Sequence, residues 1–411
     1  MGLSPDAKGP RVDMKNIIVT GGEMFNKGAQ AMTFVAVDEL KRRFPNHRIL
    51  LLSEMDKSRP EQEKAQYAFD FMGWYPAKFA KAESNPVLKA MCLLKNRKEY
   101  LEAMAIYKNT DLMVDISGYA LGANWGYNLT RQYLEHLEFA KAFHIPVYLL
   151  PQSFGPFPFT GEHAAELNGK AAELLPTVQT IFAREQEGYD ALVGTFHLNN
   201  VKLAGDLVLH NRGINLENIY AVLPKYDLPE MDPHSVAVIP NRMNIQASGE
   251  DQVIGTYVSV IGGLLELGKT VYILRHSHQD AGICKTLKDS FSADSRVVLL
   301  EKEMSCLEFN EWIKHVEFAV ASRFHAIVHA YKNAIPCVIL GWATKYHDLA
   351  AMFGQEPYIF DVRDDDCKGI LAAIRTMDRQ RNGESGKILS KLSDLQQNNV
   401  FDEILLQKLL S

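Results

Sequence analysis

The segment Phe318-Ala-Val-Ala-Ser-Arg-Phe-His-Ala-Ile-Val-His329 sets an arginine, a spacer and a histidine just after a short apolar run. Phe318 to Ala321 has the composition of a buried strand. Residues two apart in extended chain point the same way, so Arg323 and His325 are expected to face one ligand while Phe324 turns inward. A helix is expected to begin beside them, adding free backbone N–H groups after Ser322 and the positive end of its dipole. A fixed cation, a titratable imidazole and a helix N-terminus suit a small anion that must also exchange a proton. The competing reading makes Arg323 a structural ion-pair partner and His325 a helix-start residue.

Other strand ends carry similar groups. Thr270 to Leu274 runs into Arg275-His-Ser-His278, where Arg275, His276 and His278 could take a phosphate; two histidines at i, i+2 with no third ligand do not point to a metal. Arg184 follows the strand Thr180 to Ala183 and reads either as an anion clamp or as the partner of Asp206 or Glu187. In the first half, Gly21, Gly22, Asn26 and Gly28 form a loop that lets backbone approach a ligand before a helix starts, without being GxGxxG or a Walker loop. The stretch Ser117 to Gly126 offers Gly118, Tyr119, Asn124 and Trp125, whose hydroxyl, amide and aromatic faces suit a sugar; the alternative is a long turn with Trp125 plugging the core. Gln152 and Ser153 are expected at the end of the strand Val147 to Leu150, before a turn forced by Gly155-Pro156.

These residues need elements to hold them at one edge. Short apolar runs at 16–20, 48–52, 112–116, 147–150, 180–183 and 201–203 alternate with helical patterns, among them 29–44, 131–143 and 185–192. Residues 60–107 show aromatic and lysine-rich helical patches and no clear strand. After a polar, proline-bearing stretch at 211–234 the alternation restarts, with strands at 235–239, 270–274, 297–300, 318–321 and 337–340 and a helix at 252–267. The expectation is an α/β protein with two Rossmann-like domains facing a cleft, over 14–215 and 234–380, closed by a helical segment 381–411 that packs back on the body. In such sheets ligands lie beyond the carboxyl ends of the strands, where all the residues above stand.

The chain has 411 residues, 47% of them hydrophobic, enough for two cores. A net charge of −6 and a pI near 6.1 argue against a nucleic-acid partner. Cys92, Cys284, Cys306, Cys337 and Cys367 are scattered with no CxxC pair, which suggests neither a disulfide framework nor a zinc site and fits a reducing cytoplasm. The polar start, Met1 to Lys15, lacks the apolar core of a signal peptide, and no apolar run reaches membrane-spanning length. The expected location is cytoplasmic, with room for peripheral contact at the inner face of a membrane.

Taken in order, Asn26-Lys-Gly28, Asp115-Ile-Ser-Gly118, Pro151-Gln-Ser-Phe-Gly-Pro156, Phe182-Ala-Arg-Glu185, Ala204-Gly-Asp206 and Ser322-Arg-Phe-His-Ala326 resemble the polysaccharide pyruvyl transferase family over about residues 16 to 345. The chain departs from the family pattern in having Ala29-Gln30 after Gly28, where Asp is frequent, and Gly188 where Ser is frequent. The resemblance implies a GT-B-like fold, phosphoenolpyruvate as donor with no cofactor, and a sugar hydroxyl pair as acceptor, lipid-linked or free. The product would be a pyruvate ketal on a capsular, exopolysaccharide or cell-wall glycan, with release of phosphate. It casts His325 and Arg323 as catalytic, and Arg184, Arg275, Ser322, His276 and His278 as donor-binding. Asn26, Gly118, Tyr119, Asn124, Trp125 and Gln152 fall on the acceptor side. Ketal formation needs a group that moves protons near neutral pH, for which His325 is best placed, and arginines can neutralise the leaving phosphate without a metal. The runner-up is a GT-B glycosyltransferase with Arg275 and Arg323 on a nucleotide diphosphate and Glu308 as a weak ribose contact. A third reading is a non-catalytic glycan-binding or assembly subunit. The sequence leaves the oligomeric state open.

Overall fold

A computed structural model describes residues 14–363 and 367–410, so residues 1–13 of the polar start lie outside the described residues. The first sheet takes β1 (Asn16–Thr20), β2 (Arg48–Leu52), β3 (Asp70–Met72), β4 (Thr110–Asp115), β5 (Tyr119–Leu121), β6 (Val147–Phe154), β7 (Thr180–Ala183) and β8 (Val201–Leu203). Their order is β3-β2-β1-β4-β6-β7-β8, with β5 paired to β6 alone. The second sheet takes β9 (Ser235–Ile239), β10 (Thr270–Leu274), β11 (Val297–Leu300), β12 (Phe318–Ala321), β13 (Cys337–Gly341) and β14 (Ile359–Asp361) in the order β11-β10-β9-β12-β13-β14. The pairings are parallel, and strand order reverses between β1 and β4 and again between β9 and β12. Two Rossmann-like domains result, each with a crevice at its switch point.

Alternation along the strands explains the layers. In β1, Ile17 and Val19 face the helix Lys27–Arg43, while Ile18 faces the opposite layer with Tyr107 and Phe139. The core on the Ile17 side does not stop at the domain limit. It runs from Ala31 and Val35 to Leu307, Trp312, Ile327 and Ile339 of the second domain, so an apolar seam joins the two domains. Beyond it, the helix Cys367–Gln397 runs through residue 381 without a break, and the helix Val400–Leu410 returns to the first domain. There Asp402 pairs with Arg43, Thr180 Oγ1 donates to Glu403 Oε1 (2.7 Å), and Tyr148 Oη donates to Gln407 Oε1 (2.8 Å).

Three strands escape the sequence reading. β3, β5 and β14 have three residues each, as β8 does, and runs that short carry little period; β3 also lies within the helical stretch 60–107. The strand expected at 147–150 continues to Phe154, because β5 lies beside its far half (Tyr119 opposite Ser153, Leu121 opposite Phe154). Gln152 is therefore inside a strand rather than after one.

Candidate active site

The strand-to-helix turn after β12 is held from three sides. Ser322 is fully buried, and its hydroxyl meets Tyr257 Oη at 2.5 Å, on the helix Glu250–Glu266. Its carbonyl accepts from Asn241 Nδ2 (3.1 Å), at the end of β9, and from Tyr346 Oη (2.8 Å). Ser322 thus shapes the turn and does not offer its side chain to a ligand. The helix Phe324–Lys332 starts at once, so His325 stands in a first helical turn and not in extended chain. Phe324 turns inward as expected and joins the core, and one face of its ring also borders the cavity beside Arg323 and His325.

That cavity, of about 290 Å³, lies beyond the carboxyl ends of β9, β10, β12 and β13. Arg323, Phe324, His325, Lys345, Trp342 and His276 line it from the second domain, and Asn26 faces them from the first. Asn26 caps the helix Lys27–Arg43, its Oδ1 accepting from Gly28 N–H (2.9 Å). A Cβ on Gly28 would collide with the His325 imidazole, which is the reason a glycine stands there. Neither the helix Phe324–Lys332 nor the helix Thr344–Met352 has a side-chain cap, so both present positive ends here.

Arg323 is not a free cation. Its Nε donates to Asp280 Oδ2 (2.8 Å) and its Nη2 to Oδ1 (2.5 Å), a fork on a fully buried carboxylate that also accepts from Arg242 N–H (3.0 Å) and Ser277 N–H (3.1 Å). The structural ion-pair reading holds, yet the guanidinium still borders the cavity. Arg184 resolves in a similar way. Its Nη1 donates to Asp206 Oδ2 (3.1 Å), its Nε donates to Ser153 Oγ (2.9 Å), and its guanidinium carbon lies 4.6 Å from the centre of the Phe324 ring across the domain seam. Asp206 is a partner, Glu185 lies 3.4 Å from Arg184 Nε as a second, and Glu187 forms no ion pair with Arg184 among the described residues.

His325 Nε2 lies 3.9 Å from Asp206 Oδ2 and has no hydrogen-bond partner among the described residues. Burial pushes its pKa down to about 4; Arg184 and Lys345 press the same way and Asp206 opposes them. The imidazole is therefore neutral at pH 7 and placed to accept a proton. His276 is likewise held well below the usual histidine range by burial, then by Lys27. Lys345, with its Nζ 5.4 Å from the Phe324 ring centre, is pushed down to about 8 by burial and then by Arg184. Sequence reasoning missed Lys345, Trp342 and Asn241. The strand-end rule applied to β9 and β13 finds all three.

The remaining candidates lie outside this cavity. Arg275 (3.8 Å) and His278 (2.9 Å) share Glu303. Gln152 is fully buried, donating to Asp115 Oδ1 (3.0 Å) and accepting from Tyr133 Oη (3.1 Å) within a network that also holds Thr20 and Ser117, so it fastens the ends of β1, β4 and β6 and offers nothing to an acceptor. Tyr119, Asn124 and Trp125 do form one cluster: Tyr119 Oη donates to the Gly155 carbonyl (2.7 Å) and accepts from Asn124 Nδ2 (3.2 Å), and the Trp125 ring meets Tyr119 edge-on at 5.2 Å. Trp125 is 38% exposed and plugs no core. Gly118 sits at the base of this cluster beside the Arg184 guanidinium. Glu308 is engaged in a capping box with Ser305 and an ion pair with Lys302 (3.2 Å) and does not line this cavity. No group of three or more metal-ligating side chains occurs among the described residues.

The family described as polysaccharide pyruvyl transferase matches residues 26–344, most of the chain and every residue of this cavity except Lys345 and Tyr346. The chain belongs to the polysaccharide pyruvyl transferase family. No curated protein is matched. Among solved structures the chain is similar to the UDP-GlcNAc 2-epimerase of Neisseria meningitidis bound to UDP-GlcNAc, at 12% identity and TM-score 0.60 over 96% of this chain and 100% of that one. It is also similar to the glycotransferase of kitacinnamycin, at 10% identity and TM-score 0.56 over 95% and 97%. The UDP-GlcNAc 2-epimerase of Methanocaldococcus jannaschii follows at 14% identity and TM-score 0.54 over 93% and 99%. At these identities the likeness is one of fold, and the fold of this pyruvyl transferase family member is GT-B. No helix among the described residues is long and apolar enough to cross a membrane.

Proposed function

We propose that this protein transfers the pyruvyl group of phosphoenolpyruvate to a pair of hydroxyls on a glycan, forming a cyclic ketal and releasing phosphate. The observation that carries the reading is the small cationic cavity at the switch point of the second domain, with Arg323, Lys345 and two uncapped helix starts around His325, whose Nε2 has no hydrogen-bond partner among the described residues. Its volume of about 290 Å³ falls at the low end for small-ligand sites. That suits a three-carbon phosphate better than a nucleotide sugar.

In this reading the donor's phosphate and carboxylate take the helix starts, Lys345 and the free edge of Arg323, with Arg275 and His278 at the rim. Lys345, protonated at pH 7, gives a proton to the methylene carbon, whose π electrons form the new C–H bond and leave the central carbon electrophilic. A glycan hydroxyl attacks that carbon and passes its proton to neutral His325. The bond to phosphate breaks with its electron pair on phosphate oxygen, which takes the proton from His325. The second hydroxyl then closes the ring and returns a proton to Lys345. The Tyr119–Trp125 cluster of the first domain, joined to Phe324 through Arg184, would hold the sugar.

Incubation with phosphoenolpyruvate and a panel of glycans should release inorganic phosphate only when a suitable acceptor is present. Release of UDP from UDP-sugars, with phosphoenolpyruvate untouched, would replace this reading by the glycosyltransferase one that the GT-B fold also accommodates.

A further inference from the structure

The helix Pro86–Lys95 turns apolar side chains to both of its faces. Leu88 and Cys92 pack against the first-domain core. On the outer side Val87, Met91 and Leu94, at i, i+4 and i+7, are 72%, 46% and 85% exposed, and Leu101 on the following helix Arg97–Lys108 is 47% exposed. An outward apolar stripe of this kind on one surface helix marks a face that meets a partner.

The charge around it names the partner. Between Pro76 and Leu101 stand Lys78, Lys81, Lys89, Lys95, Arg97 and Lys98 against two acids, Glu83 and Glu99, in a chain whose net charge is −6. Glu83 is already paired with Lys108 at 2.9 Å. Lys78, Lys81, Lys95, Arg97 and Lys98 are exposed, and none of the five is in an ion pair among the described residues. Apolar side chains in the middle with unpaired cations around them match a bilayer surface: the stripe enters the acyl boundary and the lysine stems lie along it with their heads at lipid phosphates. A second copy of the chain fits less well, because a two-fold contact would set this cationic face against itself.

We propose that the helix Pro86–Lys95, with the lysines around it, docks the protein peripherally on a membrane surface rich in anionic phospholipid. The segment follows the carboxyl end of β3, the same end of the first sheet that carries the Tyr119–Trp125 cluster. Docking therefore brings the first-domain side of the cleft toward the bilayer, where a lipid-linked acceptor is presented. The docking itself does not rest on pyruvyl transfer.

Co-sedimentation of the full chain with vesicles of phosphatidylcholine alone, and of equimolar phosphatidylcholine and phosphatidylglycerol, tests it. Binding should appear only with the anionic vesicles and weaken at roughly 0.5 M salt, where charge attraction is screened within a few ångströms. It should fall about tenfold or more in Val87→Glu/Leu94→Glu and again in Lys95→Gln/Lys98→Gln. Both variants alter exposed side chains, so their thermal melting should match the parent. A parent chain left in the supernatant with both vesicle types overturns the proposal, as does binding that the two variants leave unchanged. A dimer in solution that Leu94→Glu splits, with no vesicle binding, assigns the face to a second copy instead.

Discussion

At the residue scale, Arg323 and His325 stand two positions apart and do different work. Arg323 neutralises Asp280 at full burial, so its first duty is to the fold. Arg323→Ala should cost about 3 kcal/mol of stability because it leaves a buried carboxylate with only backbone donors. Urea denaturation measures this, and an unchanged midpoint would show that the fork contributes nothing. His325 and Lys345 have pKa values displaced in the same direction but left on opposite sides of neutrality, about 4 and about 8, which separates a base from an acid at pH 7. His325→Ala and Lys345→Met should each lower kcat by roughly 10²–10⁴. Lys345→Met should also raise the donor KM and remove the alkaline limb of the pH profile, while His325→Ala leaves that limb in place. An alkaline limb that survives in Lys345→Met would move the acid elsewhere.

At the element scale, the site is a set of strand ends, and those were readable where a strand is long enough to show a period. β1, β2, β4, β9, β10 and β12 are apolar runs of four to six residues, and the polar residues after them include Asn26, His276, Arg323 and His325. What sequence could not show is which way a polar side chain points once neighbours close in. Gln152 looked like a ligand because its strand seemed to end at Leu150; the three-residue β5, invisible to periodicity, extends that strand and buries it. Ser322 looked like a donor at a helix start until a distant tyrosine, Tyr257, took its hydroxyl. Pairings such as Arg323 with Asp280 join residues 43 positions apart, which no local pattern records. The Tyr119–Trp125 loop kept its exposed aromatic face, so Trp125→Ala should raise the acceptor KM several-fold with little change in the donor KM. The reverse split would move the acceptor to the second domain.

At the scale of the whole molecule, the apolar seam and the returning helix Val400–Leu410 hold two domains around the cleft, and several buried histidines make that assembly sensitive to acid. Burial pushes His136 and His210 down to about 4 in the folded chain. The unfolded chain titrates near 6.5, so below that pH it takes up protons that the folded chain refuses. Stability from these groups is complete above about pH 6.5 and is lost as pH falls toward 4, by roughly 2–3 kcal/mol for each group. Melting temperature should drop between pH 7 and pH 5, and His210→Gln should shallow the slope; an equal slope in that variant would contradict the assignment. If the cationic cavity carries out pyruvyl transfer to a glycan, mass spectrometry of glycans incubated with the protein and phosphoenolpyruvate should find a product heavier by one pyruvate less one water, absent with Lys345→Met. Unmodified glycans across a broad acceptor panel, with phosphoenolpyruvate intact, would rule the transfer out.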